Sequence, residues 1–165
     1  GSTRGLPADT LNDLAGLLER LDDLPNDRAD IYRLTQDLQV DSSHLLSLIE
    51  AAELLGFATV AQGDISLTSL GETFAEASIL GRKAIFAARL RRVPLFKWLL
   101  SLLKAAHQQQ LDYGVVQMAL ELEFPRDEAE RQLETATQWG RYAEVLTYDD
   151  SDEMFYLESV AGPGA

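Results

Sequence analysis

There is no cysteine among the 165 residues of this chain. Its absence removes disulfide bridges, thiolate nucleophiles and cysteine-ligated zinc, and it suits a reducing compartment. Histidine is scarce too, with only His44 and His107 to act as bases near neutral pH. His44 follows Ser43, but adjacent side chains on a helix diverge and make no dyad. No GxxxxGK[ST] phosphate loop and no HExxH zinc motif occurs. No apolar run reaches the ~20 residues of a membrane-spanning helix. The acidic turn Asp149-Asp150-Ser151-Asp152-Glu153 lacks the spacing and the glycine of a calcium loop, and it reads as a solvated turn. The expectation is a protein with no catalytic residues, no cofactor and no metal ligands.

Positive charge is the other scarcity. Lys and Arg number 14 against 27 Asp and Glu, for a net charge of −13. Residues 1–80 carry 14 acidic and 4 basic side chains, and residues 112–165 carry 13 and 3. Between them, residues 81–111 hold seven basic residues and no acidic one: Arg82, Lys83, Arg89, Arg91, Arg92, Lys97 and Lys104. Two acidic lobes therefore flank a basic middle. That middle is either a docking surface or a counterweight to the chain's own acids.

What is present in quantity is apolar periodicity. Leu11, Leu14, Leu17, Leu18 and Leu21 fall at helical spacing behind Thr10, a candidate cap for a helix over 10–24. Pro25-Asn26 ends it, and Asn26 or Asp27 is positioned to cap a second helix carrying Ile31, Leu34 and Leu38. Asp41 or Ser42 starts a third, whose stripe Leu45, Leu48, Ile49, Ala52 and Leu55 stops at Gly56. Two strand-like segments, 57–61 and 65–68, then flank Gln62-Gly63-Asp64. Ser69 and Glu72 read as a capping box for a long helix running to Arg92.

The same order returns from Pro94. Helices are expected over 94–107, from Asp112 to Leu122, and from Pro125 to Trp139, with Gly140 as the stop. Strands follow over 142–148 and 154–157. The passage Ile49–Gly56 is echoed by Leu133–Gly140, 84 residues on. That period suits duplication of a small domain better than a solenoid. The fold expected is mainly α (α+β): tandem winged-helix domains, each of three helices and a β-hairpin wing, joined by a long helix. The first lobe is 10–92 and the second 94–158. Residues 1–9 read as a tag or linker and 159–165 as a flexible tail.

A winged helix invites a DNA-binding reading, but affinity for a duplex comes largely from Lys and Arg at phosphates. The third helix of the first lobe has Asp41, Glu50 and Glu53 and no basic residue, and both wing tips are acidic or neutral. A winged-helix transcription regulator is thus an alternative that the charge disfavours. A second alternative is a small-anion sensor using Arg89, Arg91 or Arg92. Partner or anion contacts are assigned to Arg82, Lys83, Arg89, Arg91 and Arg92. Trp98, in the otherwise core-forming run 95–104, is the residue of that helix expected to meet a partner.

Several segments carry a family resemblance: Asp27-Arg28-Ala29-Asp30-Ile31-Tyr32-Arg33-Leu34, Glu50-Ala51-Ala52-Glu53-Leu54-Leu55-Gly56-Phe57, Leu67-Thr68-Ser69-Leu70-Gly71, Arg92-Val93-Pro94-Leu95, and Trp139-Gly140-Arg141-Tyr142-Ala143-Glu144 with Tyr148-Asp149. Over about residues 10–157 the chain resembles the AAA-associated C-terminal domain, an appendage of the ATP-binding subunit of nitrate, sulfonate and taurine type ABC importers. The resemblance implies a noncatalytic, cytoplasmic module, peripheral to the inner membrane through its transporter. Its implied partners are the transporter's ATPase domain and membrane subunits, with a homodimer as a further option. The nucleotide motifs of such a subunit do not occur in this sequence.

Overall fold

The structure, a computed structural model, describes residues 11–157. The expected tag over 1–9, the Thr10 cap and the tail over 159–165 lie outside the described residues. The described chain is mainly helical with small antiparallel sheets, and it divides into two compact units that part between Arg89 and Leu90.

In the first unit α1 spans Leu11–Asp22, β1 Arg28–Asp30, α2 Ile31–Leu38, α3 Ser42–Leu54, β2 Ala58–Ala61 and β3 Asp64–Leu67; α4, Ser69–Glu76, and α5, Ile79–Leu90, follow. The apolar stripes face one core. Leu14, Leu17, Leu18 and Leu21 of α1 and Leu45, Leu48, Ile49 and Ala52 of α3 are buried with Leu34, Leu55, Phe57 and Ile65. Phe57 stacks on Phe74 of α4 with ring centroids 4.7 Å apart. The hairpin turn is the two-residue Gln62-Gly63, both at positive φ (53° and 82°), as a type I′ turn demands.

The second unit has α6 at Pro94–Ala105, β4 at Gln110–Asp112, α7 at Tyr113–Leu120, α8 at Arg126–Ala143, β5 at Leu146–Asp149 and β6 at Met154–Leu157. The second unit thus holds three helices and a three-stranded sheet ordered β4-β6-β5, and the first repeats that order as α1, α2, α3 and β1-β3-β2 before adding α4 and α5. The third strand was not expected. Arg28–Asp30 pairs with β3 (Ala29 opposite Ile65), and Gln110–Asp112 pairs with β6 (Leu111 opposite Phe155). The second helix accordingly begins later than expected. Asp30, not Asn26 or Asp27, caps α2 by accepting from the Arg33 N–H at 3.1 Å, and Asp112 does the same for α7 through Gly114 at 2.8 Å. In both units the first N–H of this helix is held by the hairpin turn: Ile31 donates to the Gly63 carbonyl and Tyr113 to that of Glu153, each at 2.9 Å.

Three further expectations are corrected. The long helix over 69–92 is two helices. Ala77 is extended (ψ 159°) and Ser78 Oγ accepts from the Gly81 N–H, so a serine cap restarts the chain as α5. The cap of α4 is Thr68, one residue before the expected Ser69; its hydroxyl accepts from Gly71 N–H and donates to the Gly56 carbonyl at 2.7 Å. Finally, Gly140 does not end its helix. α8 runs on to Ala143, and the left-handed residue is Glu144 (φ 57°). A side chain on Gly140 would place its Cβ 2.7 Å from Leu146, so this glycine permits helix and strand to approach.

The repeat register therefore drifts along the chain. Asp30 corresponds to Asp112, Ser42 to Arg126, Gly56 to Glu144 and Ile65 to Phe155. α8 has 18 residues against 13 in α3, an added turn, and the second hairpin turn is longer. The echo at 84 residues aligns only the starts of α3 and α8.

Candidate functional site

The six residues proposed for partner contact have different fates. Arg82 is engaged within its own unit. Its Nε donates to the Phe74 carbonyl at 3.1 Å and an Nη reaches the Ala75 carbonyl and, at 2.8 Å, Glu19. These carbonyls lie at the end of α4, where a cation also meets the negative end of the helix dipole. Arg89 does the same for α3, donating from Nε to the Leu55 carbonyl at 2.8 Å. Lys83 is half-buried on α5. Arg91 and Arg92 are exposed in the turn between α5 and α6. The structure thus separates the four arginines of the basic segment into two that cap helix ends and an exposed pair.

Trp98 is half-buried on α6, whose Leu95, Phe96, Leu99 and Leu103 are core. Together with Leu95, Ala119, Leu120, Leu122 and Glu123 it lines a cavity of about 250 Å³ between α6 and the end of α7. Leu122 is 87% exposed and Met118 68%. Sequence periodicity placed Leu95–Lys104 in the core but missed that α7 presents apolar side chains to solvent. The signal was available, because Tyr113–Leu120 carries one uncharged polar side chain, Gln117, besides its tyrosine.

Two polar clusters were not anticipated. Tyr113, Tyr148 and Phe155 form an aromatic group with centroids 4.9–5.6 Å apart. Arg141 lies over the Tyr148 ring at 5.2 Å and within 3.5 Å of Asp150. Burial and the nearby carboxylates push the Tyr113 phenol up. In the first unit, Asp22, Glu72 and Glu76 bring carboxylate oxygens within 4.8 Å of one another. Asp27 hydrogen-bonds Glu72 and Asp22 hydrogen-bonds Glu76, and each contact raises the glutamate above its ordinary 4.5. In the acidic turn of the second hairpin, Asp149 accepts from the N–H and hydroxyl of Ser151, and Asp152 accepts from Tyr156. Those carboxylates serve the turn itself. Ser43 donates to Asp41, whereas His44 lies 2.9 Å from Asp13, so serine and histidine address different partners.

The faces that would meet a nucleic acid are acidic. On α3, Glu50 and Glu53 are exposed. On α8, Arg131 is held by Glu128 and Arg126 lies 3.8 Å from Glu121.

These features define an α+β module, mainly helical and built twice over one plan, whose described surface offers an apolar groove and acidic helices. The chain belongs to the C-terminal AAA-associated domain family, whose model matches residues 32–149. The match begins in α2 of the first unit and ends at β5 of the second, so it covers parts of both. No curated protein and no solved structure matches the chain. Family membership associates the module with an ATPase, and no described helix is long and apolar enough to cross a membrane.

Proposed function

We propose that this chain is a noncatalytic regulatory and protein-interaction module, a pair of winged-helix domains that acts on the ATP-binding subunit of an ABC importer of the nitrate, sulfonate or taurine type. Its partners are then the ATPase domain and the membrane subunits, and its place is the cytoplasmic face of the membrane that holds them. Family membership supports the ATPase association. The repeated order of three helices and a hairpin supports the winged-helix reading, with β1 and β4 as the short third strand of each wing.

The observation that carries protein contact over DNA contact is the state of the third helices. α3 has no Lys or Arg, and every arginine of α8 faces an acid: Arg126 Glu121, Arg131 Glu128, and Arg141 Asp150. Phosphate contacts require cations that can release condensed counterions, and these helices offer a polyanion repulsion instead. A gel shift with duplex DNA at low salt should show no complex.

The test of regulation compares ATP hydrolysis by the full subunit with and without residues 6–158, each alone and with its membrane partners. A change in turnover or in its stimulation by the partners is expected. Turnover and partner stimulation that are the same with and without the module would refute it.

A further inference from the structure

The second unit exposes an apolar face where the first does not. Val115 (55% exposed), Met118 and Leu122 fall with Ala119 at i, i+3, i+4 and i+7, one stripe along α7 and just past its end. A helix apolar on all sides is a buried helix. The corresponding residues of the first unit, in the register that pairs Asp30 with Asp112, are Arg33, Gln36, Asp37 and Val40, and Asp37 is tied to Arg20 at 3.5 Å. In the same register Trp98 replaces Gly16. One scaffold carries both polarities, so the apolar stripe is no requirement of the fold. An exposed face of this kind marks an interface.

The rim of the groove is negative. Glu121 and Glu123 bracket Leu122, and Asp127 and Glu128 lie in the first turn of α8, with Arg126 3.8 Å from Glu121. Two such rims repel, which disfavours pairing of one α7 face with another. The complementary surface lies on the first unit. Ile79 and Leu80 are 81% and 77% exposed, side by side in the first turn of α5. From residue 79 to 92 the chain has no acid; Arg82 and Arg89 are held within their own unit, and Lys83, Arg91 and Arg92 supply the other positive charge. The start of α5 adds the partial positive charge of its helix end. The groove's 250 Å³ is roughly eight times the liquid volume of one water molecule, room for aliphatic side chains rather than for a single atom.

We propose that two copies of this chain associate by seating Ile79 and Leu80 of one copy in the groove that Trp98 and Leu122 border on the other. The contact rests on the reading of the module as a protein-interaction domain and names the surface it uses. It is heterologous, because each copy contributes a knob in one role and a groove in the other. Lys83 and the α5 terminus meet Glu123 at its edge.

Sedimentation equilibrium of the chain over a range of concentrations tests this, with circular dichroism to show that each variant is folded. The wild type should exceed the mass of one chain. Leu122→Glu alone, and Ile79→Glu with Leu80→Glu, should each shift the association midpoint upward on the order of tenfold or more. Mixed in equal amounts, the two variants should recover one wild-type contact, since one supplies an intact knob and the other an intact groove. A wild type that stays monomeric throughout overturns the proposal, as does association insensitive to the Ile79/Leu80 change or a mixture that fails to recover. None of these outcomes bears on the ATPase comparison, and an ATPase unaffected by the module would leave the contact standing.

Discussion

Arg89 closes over Gly56. Its Nε donates to the Leu55 carbonyl at 2.8 Å, and a Cβ on Gly56, which sits at φ +82°, would fall 2.4 Å from the Arg89 Nη2. The glycine thus supplies both a left-handed helix stop and the room in which an arginine from the basic segment satisfies the end of α3. This pairing turns a residue chosen as a partner contact into part of the first unit's framework.

Gly56→Ala should therefore destabilise the chain by about 1–2 kcal/mol from backbone conformation alone, with more where the guanidinium is displaced. Gly71→Ala should be worse than a conformational penalty, since its Cβ would meet the Phe57 carbonyl oxygen at 2.0 Å and that oxygen is backbone. Urea unfolding of both variants checks the order.

Arg82→Met keeps much of the aliphatic stem and removes the donors to Phe74, Ala75 and Glu19. A loss of about 1.5–3 kcal/mol is expected, the range for hydrogen bonds to a charged group. The exposed Arg91→Ala and Arg92→Ala should stay within about 0.5 kcal/mol. Thermal melts of the three variants distinguish structural from surface arginines.

Loss of the capping carboxylates should be felt locally. Asp30→Ala and Asp112→Ala each remove the acceptor for an N–H of the first turn of α2 or α7, at a cost of about 1 kcal/mol apiece. Asp→Asn should retain most of it. Chemical denaturation measures the difference, and hydrogen exchange assigns it to the helix concerned.

Stability should depend on pH in two opposed ways. Glu72 and Glu76 have raised values in the fold because Asp27 and Asp22 hydrogen-bond and repel them. Their contribution is complete below the unfolded value and is lost as pH rises through the folded one. Glu128, lowered chiefly by its hydrogen bond from Arg131, and Asp149, lowered by Ser151, contribute above their unfolded values and lose that as pH falls through the folded ones. The melting temperature should rise on mild acidification from neutrality and fall at stronger acid. In Glu72→Gln/Glu76→Gln the rise should shrink while the fall remains. An unchanged rise in that variant would remove the cluster as its cause.

Much of this architecture was legible because it is local. Leucines at three- and four-residue spacing can be buried together only on a helix, and Leu14, Leu17, Leu21, Leu45, Leu48 and Ile49 are buried as that spacing demands. Asp112 was legible as the start of its helix for the same reason. β1 and β4 were not. Arg28-Ala29-Asp30 has no strand character of its own, and it is extended because β3 offers it an edge of unpaired backbone groups. Gly140 misled because glycine both stops helices and admits close neighbours, and only the position of Leu146 selects the second role.

The candidate contact residues divide along the same line. By itself, the sequence established the charge segregation, the helical stripes and the missing catalytic motifs, since each depends on composition or on neighbours within a turn or two. Tertiary structure alone decided that Arg82 and Arg89 complete helix ends, that α4 and α5 part at Ala77, and that Val115, Met118 and Leu122 face solvent. The physical reason is that an arginine's acceptor or a leucine's burial is set by chain segments tens of residues away. Periodicity identifies which side chains share a face, but only packing determines whether that face is covered.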